Sequence, residues 1–199
     1  MAPGTGRAKV RPPIGYRAGV STDPALVTEE ATGAQGRAWA SFDPTRTYRY
    51  RLTRTWEPGR PRVNFLMLNP STADAQRLDP TVRRCVGFAR SWGFGSVEVT
   101  NLFALRATDP RELVAHAEPV GGHNDEAIVD AARRADCVVV AWGARGAHRG
   151  RAGVVTDLLG DLDVCPVALR LTRAGEPGHP LYVPADVQPV PWSPPGGRP

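Results

Sequence analysis

Apolar and polar positions divide the chain into three zones. Residues 1–45 hold no sustained period and are rich in Gly, Pro, Ala and Thr, which reads as a flexible arm. Residues 185–199, which include VQPVPWSPPGGRP, read as a Pro/Gly-rich flexible tail. Between them, residues 46–184 alternate strand and helix signals, the pattern of a single α/β domain.

Within that domain, YRYRLTRTW (Tyr48 to Trp56) alternates basic with other residues and suits a half-exposed, antiparallel edge strand. Four apolar runs follow: VNFLML (Val63 to Leu68), VEVTNL (Val97 to Leu102), CVVVAW (Cys137 to Trp142) and VCPVALRL (Val164 to Leu171), the last weakened by Pro166. Helix signals separate them. Asp79 can cap a helix that Pro80 opens, with Val82, Cys85, Val86, Ala89 and Trp92 as its apolar stripe and Gly93 as its end. A short helix starts at Asp109-Pro110, and a longer one runs from Asn124 to Ala135. The longer one has Asp125 and Glu126 in its first turn and Arg133 and Arg134 in its last, as the helix dipole favours. Another lies around Ala152 to Leu159. Apolar strands joined by helical crossovers pair in parallel. The expected fold is therefore a three-layer α/β/α domain around a mostly parallel four-stranded sheet, with the antiparallel strand at its edge.

Parallel strands bring their C-terminal ends to one edge, where ligands of open α/β sheets bind. The first run ends abruptly in Asn69-Pro70-Ser71-Thr72, with Asp74 beyond; the second delivers Asn101, Phe103 and then Arg106. The third ends in Trp142-Gly143, and the fourth leads to Gly178-His179-Pro180. Amide, imidazole, aromatic and guanidinium groups at an apolar rim suit a flat polar ring, with phosphates nearby. Each residue also has a plainer role. Asn69 before proline is a common turn residue, Asn101 can satisfy a loop, and Trp142 can cover the core edge. Arg83 and Arg84 suit a solvated helix face as well as a phosphate contact.

Composition narrows the chemistry little. The net charge of +5 fits a polyanionic partner, yet Lys9 is the only lysine, so the arginine excess also fits GC-rich coding. Cys85, Cys137 and Cys165 form no CxxC pair and sit in apolar company, which suggests reduced, buried thiols in a cytoplasmic protein. No export signal or membrane-length apolar run is visible. P-loop, GxGxxG, HExxH and GxSxG patterns are missing, and the four histidines lack metal-ligand spacing, so no cofactor or metal is expected.

The segments LMLNPSTAD, DPTVRRCVGFARSWGFGSVEVTNLFALRATDP, VVVAWGARG and GHPLY, in that order, closely resemble the bacterial family called domain of unknown function 1643, over Tyr48 to Val183. That family name implies no activity. The same segments are more distantly similar to the motifs of the uracil-DNA glycosylase superfamily. There, LNP is similar to the Asn-Pro motif whose Asn positions the attacking water. VTNLFAL resembles the strand whose Asn reads the base, VVVAWGARG the strand ending in Trp-Gly, and His179-Pro180 the His-Pro of the DNA-contacting loop. The chain departs from the superfamily's best-known branch at three points. Asn69 replaces its water-activating Asp, Ser71 and Thr72 replace an aromatic and a histidine, and Leu181-Tyr182 follow His-Pro without the usual Ser-Pro.

Two readings follow from the residues and that resemblance. In the first, the protein recognises a nucleobase and hydrolyses an N-glycosidic bond in DNA or a nucleotide. Asn69 would then hold the water, His179 would stabilise the departing base, and Asp74 would be a reserve general base. Phe103 or Trp142 would stack on the ring, Asn101 would read its edge, and Pro70, Ser71 and Gly143 would shape the pocket. Arg83, Arg84 and Arg106 would hold phosphates. In the second reading the same edge belongs to a non-catalytic nucleic-acid or nucleotide-binding module.

Overall fold

The computed structural model describes residues 26–33 and 36–195. Most of the expected arm, residues 1–25, and the last residues of the tail, 196–199, lie outside the described residues. The chain is an α/β protein with one mixed sheet. Its strands are β1 (Val27–Gly33), β2 (Gly36–Phe42), β3 (Arg49–Thr55), β4 (Arg62–Met67), β5 (Ser96–Asn101), β6 (Cys137–Val140), β7 (Val167–Ala168) and β8 (Val190–Pro191). Among the described residues the sheet has eight strands in the order β1-β2-β3-β5-β4-β6-β7-β8. β4 pairs in parallel with β5 and β6, and β6 with β7; the remaining pairs are antiparallel.

Three expectations about the flanks of the sheet need correction. Residues 27–33 and 36–42 pair antiparallel as the β1–β2 hairpin rather than forming a loose arm, because Ala38, Ala40 and Phe42 alternate inward along β2 and are buried. That hairpin covers β3, so YRYRLTRT is an interior strand between β2 and β5, not an edge. The tail is anchored through β8 and the buried Trp192, whose indole donates to Gly175 O at 3.2 Å.

The helices are α1 (Pro80–Ser91), α2 (Pro110–Ala115), α3 (Asn124–Arg134) and α4 (Arg151–Gly160). Asp79 caps α1 by accepting from Val82 N at 2.8 Å, and Gly93, at φ +84°, lets the chain turn out after Trp92. Alternate residues of β4 serve opposite faces of the sheet. Val63, Phe65 and Met67 join Val82, Cys85, Phe88 and Ala89 of α1 in one core. Leu66 joins Ile128 and Ala132 of α3 and Val155 and Leu159 of α4 in the other. Burying a side chain the size of Phe88 or Leu159 contributes roughly 1.5–3 kcal/mol, so both faces hold the sheet firmly. Pro166 leaves β7 only two residues long. Cys165 is consequently exposed and Cys137 half-buried, whereas all three thiols were expected inside; only Cys85 is buried.

β3 contains the irregularity that matters most for the site. Ser41 pairs with Arg51 but Phe42 pairs with Arg49, so Tyr50 is an extra, bulged residue. Tyr50 packs with Ala104 and Ala127 on the α3 side, while Leu52 belongs to the α1-side core. The bulge thereby turns Arg49 towards the α1 side, against strict alternation.

Candidate functional site

A cleft of about 450 Å³ opens at the C-terminal edge of β4, β5 and β6. Its floor is Arg49, Met67 and Leu68, and its rim carries groups from every loop on that edge. Asn69 and Ser71 follow β4, Thr108 follows β5, and Trp142 to Arg145 follow β6. His179 and Tyr182 follow β7, while Asp79 and Thr81 come from the start of α1. A volume of this size suits a small-molecule ligand.

Hydrogen bonds between neighbouring loops hold the rim. Both amide hydrogens of Asn69 are used: Nδ2 donates to Pro70 O at 3.0 Å and to Ala107 O at 2.8 Å. Ala107 N donates back to Pro70 O at 3.0 Å, and the Ser71 and Thr108 hydroxyls meet at 3.3 Å. Two carbonyl acceptors fix the amide orientation, so the Asn69 Oδ1 remains as an acceptor. This explains the polar cluster that ends an apolar strand: it clasps the loops after β4 and β5 together.

The third wall depends on two glycines. Gly143 has φ +71° and donates to Pro177 O at 2.7 Å, a turn that brings residues 175–179 alongside. At Gly146 a Cβ would lie 2.1 Å from the Trp142 Cδ1, so only glycine lets the following turn pack on the indole. The Trp142 Nε1 donates to Glu176 at 3.0 Å. Arg84 Nη2 donates to Val183 O, tying the segment after His179 to α1.

His179 is held as a neutral donor. Its Nδ1 accepts from Leu181 N at 3.3 Å, which leaves the ring proton on Nε2. Burial pushes its pKa below the ordinary 6.5, against the opposing charge of Asp79. The unfolded chain therefore binds this proton more readily. Stability from neutral His179 is fully present above pH 6.5 and is lost as pH falls through the folded-state value. An NMR titration of His179 is expected to give a midpoint below 6.5, and Asp79→Asn is expected to lower it further. An unchanged midpoint in the variant would mean that the two groups do not sense each other.

Arg49 was not expected at the site. It is 1% exposed, and its guanidinium donates to Ala73 O at 2.8 Å and to Asn101 Oδ1 at 3.4 Å. Its Nε has no partner among the described residues. Burial lowers its pKa to about 10, opposed first by Asp79, so it stays cationic at neutral pH. With Arg145 at the rim, it gives the cleft two cations beside the Asp79 carboxylate.

Of the residues named from the sequence, the cleft brings together Asn69, Ser71, Trp142, Gly143 and His179. Pro70 is buried behind them. Trp142 is only 2% exposed and meets Trp192 edge-on at 5.2 Å, so it backs the third wall rather than offering a free ring face. Asn101 is buried behind Arg49, and its carbonyl accepts from the Asn124 Nδ2 at 3.0 Å. Phe103 is fully buried in the α3–α4 core. The backbone continues its pairing past β5, with Phe103 N donating to Leu68 O at 3.0 Å, so the ring turns inward. Asp74 spends its Oδ1 on Gln76 N at 2.9 Å and Arg77 N at 2.7 Å, away from the cleft. Arg106 packs over Phe42 at 5.4 Å, Arg84 lies on the outer side of α1, and Arg83 lies between that side and the surface facing the β1–β2 hairpin. The residues that sequence reasoning missed are Arg49, Asp79, Thr81, Thr108, Arg145 and Tyr182.

Fold and cleft define an α/β protein with a polar site at the end of its parallel strands. The family model described as "Protein of unknown function (DUF1643)" matches residues 49–181, and the chain belongs to that family. Comparison with curated proteins and with solved structures finds no match. Among the described residues no helix is long and apolar enough to cross a membrane.

Proposed function

We propose that the cleft recognises a nucleobase and hydrolyses its N-glycosidic bond, in DNA or a nucleotide. The observation that carries this reading is the company of three groups in one cleft. They are the Asn69 Oδ1 with its amide orientation fixed, the neutral His179 and the Asp79 carboxylate. Water held by Asn69 attacks the anomeric carbon as its bond to the base nitrogen breaks, and that electron pair leaves with the base. Asp79 takes the water's proton, a role that an amide cannot fill and that Asp74 is too far turned to take. The His179 Nε2–H donates to the base as it becomes anionic. Arg49 contributes a cation where the sequence pointed to the Asn101 amide, which suits a base rich in carbonyl acceptors.

The second reading, a non-catalytic nucleic-acid or nucleotide-binding module, uses the same edge, and one observation bears on both readings alike. The residues expected to read and stack on a base, Asn101 and Phe103, are buried. Base release separates the two readings. Oligonucleotides and free nucleotides carrying uracil, hypoxanthine, alkylated or hydroxymethylated bases are incubated with the protein, and free base is quantified. Asn69→Ala and His179→Ala are each expected to lower release by roughly 10²–10³-fold. Ligand binding without release from any substrate would favour the binding module.

A further inference from the structure

We propose that a second groove, between the β1–β2 hairpin and α1, binds the backbone of a single nucleic-acid strand. The base entering the cleft would then come from a strand rather than from a free nucleotide, an inference that rests on reading the cleft as a nucleobase site. The groove measures about 500 Å³ and is lined by Arg54, Trp56, Gln76, Arg83 and Arg90 among others, with no carboxylate among its described lining. Arg83 and Arg90 are exposed, and neither makes an ion pair with a described residue. The Arg90 guanidinium lies 4.9 Å from the centroid of the half-buried Trp56 ring. Arg54 is fixed at the base of the groove, donating to Thr53 O at 3.1 Å and to Asp74 O at 2.6 Å. The Asp74 carboxylate, the acid acting on Arg54, is occupied by two backbone N–H groups.

Two exposed, unpaired arginines around an indole are what a single strand requires. Guanidinium groups take the phosphates, and the indole with its stacked guanidinium takes a base face. A concave groove admits a strand but not the breadth of a duplex or a membrane surface, and an acidic peptide would leave the ring unused. The groove also lies beside the cleft. Thr81 and Val82 of α1 line the cleft, while Arg83, Val86 and Arg90 of the same helix line the groove. At 1.5 Å per residue, Thr81 and Arg90 are about 14 Å apart along the axis. Arg84 takes no part, since it binds Val183 O and covers the Phe88 ring at 4.8 Å.

The test measures binding of a fluorescein-labelled oligothymidylate across a salt series by anisotropy. The wild type is expected to bind with a logarithmic affinity that falls linearly with logarithmic salt. Arg83→Gln/Arg90→Gln is expected to weaken binding about tenfold and flatten the slope by about 1.4, the share of two phosphates on a single strand. Trp56→Ala is expected to weaken binding with the slope unchanged. Arg133→Gln/Arg173→Gln removes the same charge elsewhere and is expected to bind like the wild type. Equal effects of the two double variants, no binding by the wild type at low salt, or displacement by polyglutamate as effective as by DNA would overturn the proposal. The cleft reading fails separately: strand binding that needs Arg83 and Arg90, with no base released from any substrate, leaves strand docking in place and removes the hydrolysis.

Discussion

Asp79→Asn is expected to keep the fold and lose the chemistry. Asparagine caps a helix about as well as aspartate, so the bond to Val82 N survives; what the fold loses is the charge that opposes the burial of Arg49, a cost read from the melt. What disappears is the carboxylate in the cleft. A positioned general base contributes roughly 10²–10⁴-fold, and base release is expected to fall by that factor. Asp79→Ala would remove cap and base together and could not tell them apart. The asparagine variant can, because circular dichroism melting reports the cap with the buried charge and base release reports the proton acceptor. Full activity in Asp79→Asn would assign the carboxylate to capping alone and leave water activation without a base.

Phe103→Ala is expected to act in the opposite way, on stability rather than on the ligand. The ring is fully buried with Leu66, Ile128 and Trp142 in the α3–α4 core, and its centroid lies 5.6 Å from that of His148. Removing a buried phenylalanine costs roughly 3–5 kcal/mol, because the surroundings close the cavity only in part. For a chain of this size that corresponds to a fall in Tm of roughly 6–20 °C. Ligand affinity of the folded variant, measured well below its Tm, is expected to change little. A large loss of affinity with an unchanged Tm would return Phe103 to the role of a stacking ring.

The contrast between these residues shows which parts of the site could be read from the sequence. β4, β5 and β6 were legible because they are dense apolar runs, and the Asp79-Pro80 pair announced α1. Placing strand ends on one edge then found Asn69, Ser71, Trp142, Gly143 and His179, which do line one cleft. The β1–β2 hairpin was not legible because its inward positions are mostly alanines, which carry little hydrophobic contrast. Arg49 was hidden by the bulge at Tyr50, since strict alternation sends its side chain to the other face. Asp79 was hidden by its own cap: a local role accounted for it, and nothing in the sequence showed that the start of α1 borders the cleft. Asn101 and Phe103 misled for a related reason. Ladder bonds continue one and two residues beyond β5, from Leu102 N to Met67 O and from Phe103 N to Leu68 O, so the strand's true rim lies at Ala107 and Thr108.

The closest test of hydrolysis in the cleft follows both products of one reaction in heavy-oxygen water. A substrate oligonucleotide is incubated with the wild type and with Asp79→Asn, and free base and abasic sugar are analysed by mass spectrometry. The proposed chemistry predicts free base together with heavy oxygen at the anomeric carbon in the wild type, and neither above background in the variant. Intact oligonucleotide, recovered bound to the wild type with no base released across the whole panel, would contradict it.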